Sequence, residues 1–359
     1  MNKIKVLIVD DSAFIRKLLR DILSTDKEIE VVDFARNGKE AIEKLMKNEI
    51  DVVTLDIEMP VIDGIDTLKE IMIKKPTSVV MLSSLTKNGA DLTIKALELG
   101  AVDFITKPSN IFKINNDDIK NLVIDKVKIA SKVKQYNKNY NHKIKTIDKT
   151  KYDSNKNLNK KDRKDKIDNI IAIATSTGGP RALQNVISNL SSEINSPVVI
   201  VQHMPAGFTK SLANRLNNMS SLYVKEAEEG EFLRNNTVYI APGNRHMKFK
   251  KERNNIKIIL DNGEKISGHK PSADAMFYSL CEIDVKKIIT AVMTGMGSDG
   301  SKGLKKLKES RPDIISIAED ESTCVVFGMP KSIINLGLAD KVIPINDIAK
   351  EINKLMGRF

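Results

Sequence analysis

Ser176, His203 and Asp299 each lie just past the end of a short apolar run, and so do Asp10, Asp11, Asp56, Ser83 and Lys107. A hydroxyl, an imidazole and a carboxylate can act as one unit. The imidazole takes the hydroxyl proton and passes it to a leaving group, while the carboxylate fixes the imidazole tautomer and offsets its charge. The crowded carboxylates call for different chemistry. Three of them, Asp10, Asp11 and Asp56, repel one another unless a hard cation binds, and Mg²⁺ with oxygen ligands meets that need. A carboxylate beside a metal and a lysine can accept a phosphoryl group and hold it as an acyl phosphate.

The elements that must position these groups read as alternating strands and helices. Residues 4–9, 51–55, 78–82 and 101–106 are β-branched, apolar runs of the kind buried in parallel sheets. Between them, residues 13–23, 39–46, 65–73 and 91–99 show helical periodicity, the βα alternation of an α/β fold. In an open parallel sheet the carboxyl ends of the strands meet at one crevice, so residues far apart in sequence can converge there. A lone Asp after a strand is usually a helix cap or turn residue. The acidic, hydroxyl and lysine positions at four different strand ends carry more weight together.

That spacing resembles the response-regulator receiver domain over residues 1–122. The resemblance implies a five-stranded flavodoxin-like fold with Asp56 as phosphoacceptor. It further implies that Asp10, Asp11 and Asp56 bind Mg²⁺ with the Glu58 backbone, that Ser83, Phe104 and Lys107 form the switch set, and that a histidine kinase is the phosphodonor.

From residue 132 to 166 the composition changes. There are 13 Lys and Arg against 4 Asp, about nine of the eleven excess positive charges of the chain, with few apolar residues. Residues 123–167 therefore read as a basic linker, helical at its start. Without glycine interleaving, a solvated tether is favoured over a nucleic-acid-binding arm, and no helix-turn-helix pattern offers the alternative of a nucleic-acid-binding output.

Beyond it, residues 170–174, 197–201 and 288–293 are again buried-strand candidates, delivering Ser176, His203 and the Gly-rich segment with Asp299. Gly178 and Gly179 permit a sharp turn and Pro180 suits the first helical position, with the helix running over 181–190. Such a turn serves a nucleophile or an anion site equally, so a phosphate-binding loop is the competing reading. Of the other histidines, His246 is the rival base, opening a short strand among turns, while His269 and His142 are less well placed.

The segments Ser176-Thr177-Gly178-Gly179, Gln202-His203-Met204-Pro205-Ala206-Gly207, Ala241-Pro242-Gly243, Pro271-Ser272-Ala273-Asp274 and Thr294-Gly295-Met296-Gly297-Ser298-Asp299-Gly300 resemble the chemotaxis protein-glutamate methylesterase family, over residues 168–357. The resemblance implies a doubly wound, mainly parallel α/β domain with Ser176 as nucleophile, His203 as base and Asp299 as its orienter. The implied substrates are glutamate γ-methyl esters on chemoreceptors, in chemotaxis adaptation, and some members also deamidate glutamines. Amides near the Gly178-Gly179 turn, or that of Met296, are candidates for the oxyanion site. The domain order implies control, with the unphosphorylated receiver covering the Ser176 crevice.

Composition bounds the rest. A chain of 359 residues accommodates two domains. Two Cys without metal-type spacing suit a reducing compartment, and no apolar stretch is long enough to span a bilayer. The expectation is a cytoplasmic monomer that needs Mg²⁺ for receiver phosphorylation and no cofactor for ester hydrolysis.

Overall fold

The computed structural model describes residues 3–107, 117–133 and 166–358, and the chain divides into two compact units, Met1–Asn141 and His142–Phe359. Most of the expected linker lies outside the described residues.

The first unit alternates β1 (Ile4–Val9), α1 (Ala13–Leu23), β2 (Ile29–Ala35), α2 (Gly38–Lys47), β3 (Val52–Asp56), α3 (Gly64–Lys74), β4 (Ser78–Ser83), α4 (Lys87–Glu98), β5 (Asp103–Thr106) and α5 (Asp117–Lys132). The strands pair in parallel in the order β2-β1-β3-β4-β5, the doubly wound arrangement expected from the sequence. Helices α1 to α4 each start at a side chain that accepts an amide three residues on, from Ser12, Asn37, Asp63 and Thr86. These are the residue types that satisfy a helix's free N–H groups, so helix starts are written locally in the chain. The boundary expected at residue 122 falls inside α5, where Val123, Val127 and Ala130 are buried. Residues 123–132, assigned to the linker on sequence grounds, therefore continue a helix that packs into the first core.

The second unit contains β6 (Asn169–Thr175), α6 (Gly179–Ser188), β7 (Val198–Gln202), α7 (Phe208–Met219), β8 (Tyr223–Glu226), β9 (Thr237–Ile240), β10 (His246–Glu252) and β11 (Asn255–Asp261). It continues with α8 (Ala273–Leu280), β12 (Lys287–Val292), α9 (Ser301–Ser310), β13 (Ile315–Glu319), α10 (Met329–Asn335), β14 (Lys341–Ile343) and α11 (Ile345–Leu355). Seven strands pair in parallel as β14-β13-β12-β6-β7-β9-β8, and β10 and β11 form a separate antiparallel hairpin. The strand order reverses at β6, whose neighbours are β12 and β7, so this is the topological switch point where a crevice opens. Central strands β6, β7 and β12 are buried on both faces, which explains their continuous apolar sequence.

Helix starts at this crevice differ from those of the first unit. Helices α6, α7 and α9 follow Gly178, Gly207 and Gly300, all at positive φ and with no side chain of their own to cap the helix. At Gly178 a side chain is excluded twice over, because φ is 79° and a Cβ would lie 2.6 Å from Val325. Among the described residues, no helix is long and apolar enough to cross a membrane.

Candidate active site

Ser176 leaves β6 as the one partly exposed residue in the run 171–180. Its amide donates to the Thr294 carbonyl (3.0 Å), and its carbonyl accepts from Gly179 N (2.8 Å) and Gln202 Nε2 (2.9 Å). The backbone of the turn is thus fixed on both sides, while the Ser176 hydroxyl has no partner among the described residues.

His203 leaves β7, and its amide donates to the Thr175 carbonyl (3.2 Å), one residue from Ser176. Its Nε2 lies 2.7 Å from Asp299 Oδ2. Asp299 is almost fully buried and sits against the N-terminus of α8. It accepts from Ala273 N (2.7 Å), Asp274 N (3.1 Å) and the Ser272 hydroxyl (2.8 Å). Burial works to raise the Asp299 carboxyl, but the His203 bond and charge and the two amides outweigh it and hold the group at about 2. Because that value lies below the unfolded one, the stabilisation is present above about pH 4 and lost as pH falls through 2. With Asp299 ionised, Nε2 carries the imidazole proton, and His203 Nδ1 is buried without a protein partner. This orientation reverses the serine-protease template, in which Nδ1 faces the carboxylate.

A second buried carboxylate completes the arrangement. Asp274, in the first turn of α8, accepts from Gly300 N (3.0 Å) and Gly303 N (2.6 Å) of α9 and from Ser267 Oγ (2.8 Å). Each helix is therefore capped by a carboxylate from the other's approach. The charges complement the positive N-terminal ends of both helices.

Through Ser267 the same Asp274 anchors a tight turn in which Ile266 and His269 exchange both backbone hydrogen bonds (3.1 and 3.0 Å). The turn lays His269 on His203, with ring centroids 3.9 Å apart and planes within 6°. Burial, followed by the nearby His203 and Lys265, pushes His269 down to about 4 against the pull of Asp299, so it is neutral near pH 7. His269, ranked low on sequence grounds, is therefore at the site. The rival base His246 is buried in β10 and bonds the Glu264 carbonyl through Nε2 (2.8 Å).

The candidate oxyanion donors separate on the same basis. The Gly179 amide is consumed by the Ser176 carbonyl and the Gly295 amide by Val326 (3.0 Å), whereas the Met296 amide has no acceptor among the described residues. Gly295 packs so closely that a Cβ there would stand 2.9 Å from the Ser176 Cβ.

In the first unit, the side chains of Asp10, Asp11 and Asp56 lie together, with one oxygen from each within 4.8 Å of the others. Lys107 Nζ is 2.8 Å from Asp10 Oδ2 and 2.7 Å from Asp56 Oδ2. Burial first, then Asp10, raises the Asp56 carboxyl to about 6 despite Lys107 and the Glu58 amide. One ammonium against three carboxylates leaves negative charge and hard oxygen donors, which suits a divalent cation such as Mg²⁺. The Glu58 amide donates to Asp56 Oδ1 (3.3 Å). Ser83 is buried and accepts from Thr93 Oγ1 (2.7 Å), and Phe104 is buried with Lys126 Nζ 5.3 Å from its ring centre.

Two family models match the chain. Residues 6–117 match the response regulator receiver domain, and residues 171–352 match the CheB methylesterase. The protein-glutamate methylesterase/protein-glutamine glutaminase of Geobacillus kaustophilus is 46% identical over 357 residues, covering 99% of this chain and all of that one. The protein of the same name from Bacillus subtilis is 43% identical over 349 residues, covering 97% of each. The second unit is also similar to the crystal structure of the Thermotoga maritima CheB methylesterase catalytic domain, with 47% identity, a TM-score of 0.50, and coverage of 52% of this chain and 97% of that one. By both its receiver domain and its catalytic domain, this chain belongs to the protein-glutamate methylesterase/protein-glutamine glutaminase family.

Proposed function

We propose that this chain is a phosphorylation-activated hydrolase that removes methyl esters from glutamate side chains of chemoreceptors, and also deamidates receptor glutamines, in chemotaxis adaptation. The observation that carries the reaction is the His203 ring, tied through Nε2 to a buried, ionised Asp299 and left with an unpartnered Nδ1.

In this reading Ser176 Oγ attacks the γ-carbonyl carbon while its proton passes to His203 Nδ1. Negative charge develops on the carbonyl oxygen, and the Met296 amide is a donor free to meet it, an interaction worth about 3 kcal/mol. Collapse expels methanol, protonated from Nδ1, or ammonia when the substrate is a glutamine. Water, deprotonated by the same Nδ1, then releases the acid and restores Ser176. The absence of a Ser176–His203 hydrogen bond fits a site whose bonds tighten when substrate binds.

The receiver supplies the control. Asp56 accepts the phosphoryl group from a histidine kinase, and Asp10, Asp11 and Asp56 with the Glu58 carbonyl would hold Mg²⁺. When bound, that ion neutralises charge on the phosphoryl oxygens. Lys107, already paired with Asp10 and Asp56, provides the counter-charge for the acyl phosphate, and Ser83 and Phe104 carry the switch.

Ser176→Ala is expected to abolish methanol release from methylated receptor membranes, and retained turnover overturns the nucleophile. His269→Ala, by freeing the face of His203, is expected to lower kcat about tenfold with KM little changed, and His269→Phe to recover most of the loss. Equal kcat in the Ala variant removes His269 from the site's machinery. Asp56→Asn is expected to keep basal esterase activity and lose its response to kinase and ATP, so a full response in that variant contradicts the coupling. Without Mg²⁺ this variant also loses a carboxyl raised above its unfolded value, whose stabilisation fades as pH rises through about 6, so it should melt higher than the parent at about pH 8.

A further inference from the structure

Glu319, at the end of β13, is almost fully buried beside the crevice, and no step of the reaction uses it. Its Oε2 accepts the Thr294 amide (2.8 Å) and its Oε1 accepts the Thr323 hydroxyl (3.0 Å). No Lys, Arg or His pairs with it among the described residues. The adjoining strand ends offer Val292 to Thr294 on one side and Ile343 on the other, none of them charged. The titratable groups bearing on it are Asp320 and the Cys324 thiol, both beyond its own strand end. A carboxyl buried without a counter-ion is expensive to keep.

What it holds is a junction. The Thr294 carbonyl accepts both Ser176 N (3.0 Å) and Thr175 Oγ1 (2.8 Å). The Thr294 hydroxyl donates to the Thr177 carbonyl (2.9 Å) and accepts Val326 N (3.0 Å). The next two residues are Gly295, packed on Ser176, and Met296, whose amide has no acceptor among the described residues. Thr294 therefore sets the distance between the hydroxyl and the free amide, and Glu319 holds the Thr294 N–H.

We infer that Glu319 is a positioning residue for the reaction, its ionised carboxylate fixing the Thr294 peptide and thereby the spacing between Ser176 and the Met296 amide. The inference rests on Ser176 being the nucleophile. A charge-assisted bond to the Thr294 amide is shorter and stronger than one to a neutral carboxyl. In the neutral acid, one oxygen still accepts Thr294 N–H, while the other donates to Thr323, whose hydroxyl already lies 3.3 Å from the Asp320 carbonyl. Both forms are satisfied, and they differ in how tightly the junction is held. Burial, then Asp320, raises this carboxyl to about 7, against the Thr294, Thr323 and Cys324 bonds, so the change falls within a working pH range. Its folded value exceeds the unfolded one, so its contribution to stability is present below about pH 4 and is lost as pH rises through 7.

The test compares the full-length parent with Glu319→Gln, which copies the neutral acid, and Glu319→Leu, which removes the acceptor. The readouts are the rate of covalent labelling by a serine-directed fluorophosphonate at about pH 6 and pH 8.5, and thermal unfolding at both. Parent and Gln variant should label at similar rates at the lower pH, and the parent about three- to tenfold faster at the higher one. The two proteins differ only at residue 319, so the ratio isolates Glu319. The Gln variant should also unfold at a higher temperature than the parent at the higher pH alone. The Leu variant should label slowly at both. A parent-to-Gln ratio that stays flat with pH overturns the inference, whatever the Leu variant does. Undiminished labelling of Ser176→Ala would instead overturn the nucleophile, a separate result.

Discussion

The charge on Asp299 is the interaction on which the catalytic unit depends. A carboxylate removed from water needs donors for its lone pairs, and here they come from Ser272, two amides at the start of α8 and His203. A helix N-terminus is a natural place to bury an anion, since its amides are free and its dipole is favourable. The result is a fixed negative charge whose one remaining partner is the imidazole. Fixing that charge also fixes the imidazole proton on Nε2, and with it the identity of the basic nitrogen.

The rest of the second unit can be understood as support for this pair. The reversal of strand order at β6 brings the exits of β6, β7 and β12 side by side. Asp274 caps α9 and, through Ser267, holds the turn that sets His269 on His203. Glu319 holds Thr294, which joins the nucleophile turn to the Gly-rich segment. Three buried carboxylates, each anchored by backbone amides, thus organise one crevice. The first unit solves the opposite problem, since two of its three clustered carboxylates share a single lysine and the set so stays ready for a cation and a phosphoryl group.

Much of this was legible in the chain. Strand ends are marked by β-branched runs, so Ser176, His203, Asp56 and Lys107 could be placed at sheet edges before any coordinates, and parallel topology brings such edges together. Gly178, Gly179 and Pro180 marked the turn and the helix start after Ser176. His269 was missed because its place depends on a two-residue turn anchored by a side chain from α8, and neither leaves a periodic trace. The boundary drawn at 122 divides α5, whose Val123, Val127 and Ala130 are buried in the first unit ahead of the basic stretch that begins at residue 132. Gly179 was weighed as an oxyanion donor although its amide closes the turn on Ser176, a pairing that only backbone geometry reveals.

The tautomer of His203 tests the central claim most directly. In the ¹⁵N-histidine-labelled protein at about pH 8.5, long-range ¹H–¹⁵N correlations should show His203 protonated on Nε2 and bare on Nδ1, and Asp299→Asn should disturb that preference. A ring protonated on Nδ1, or a preference indifferent to Asp299, would contradict the account.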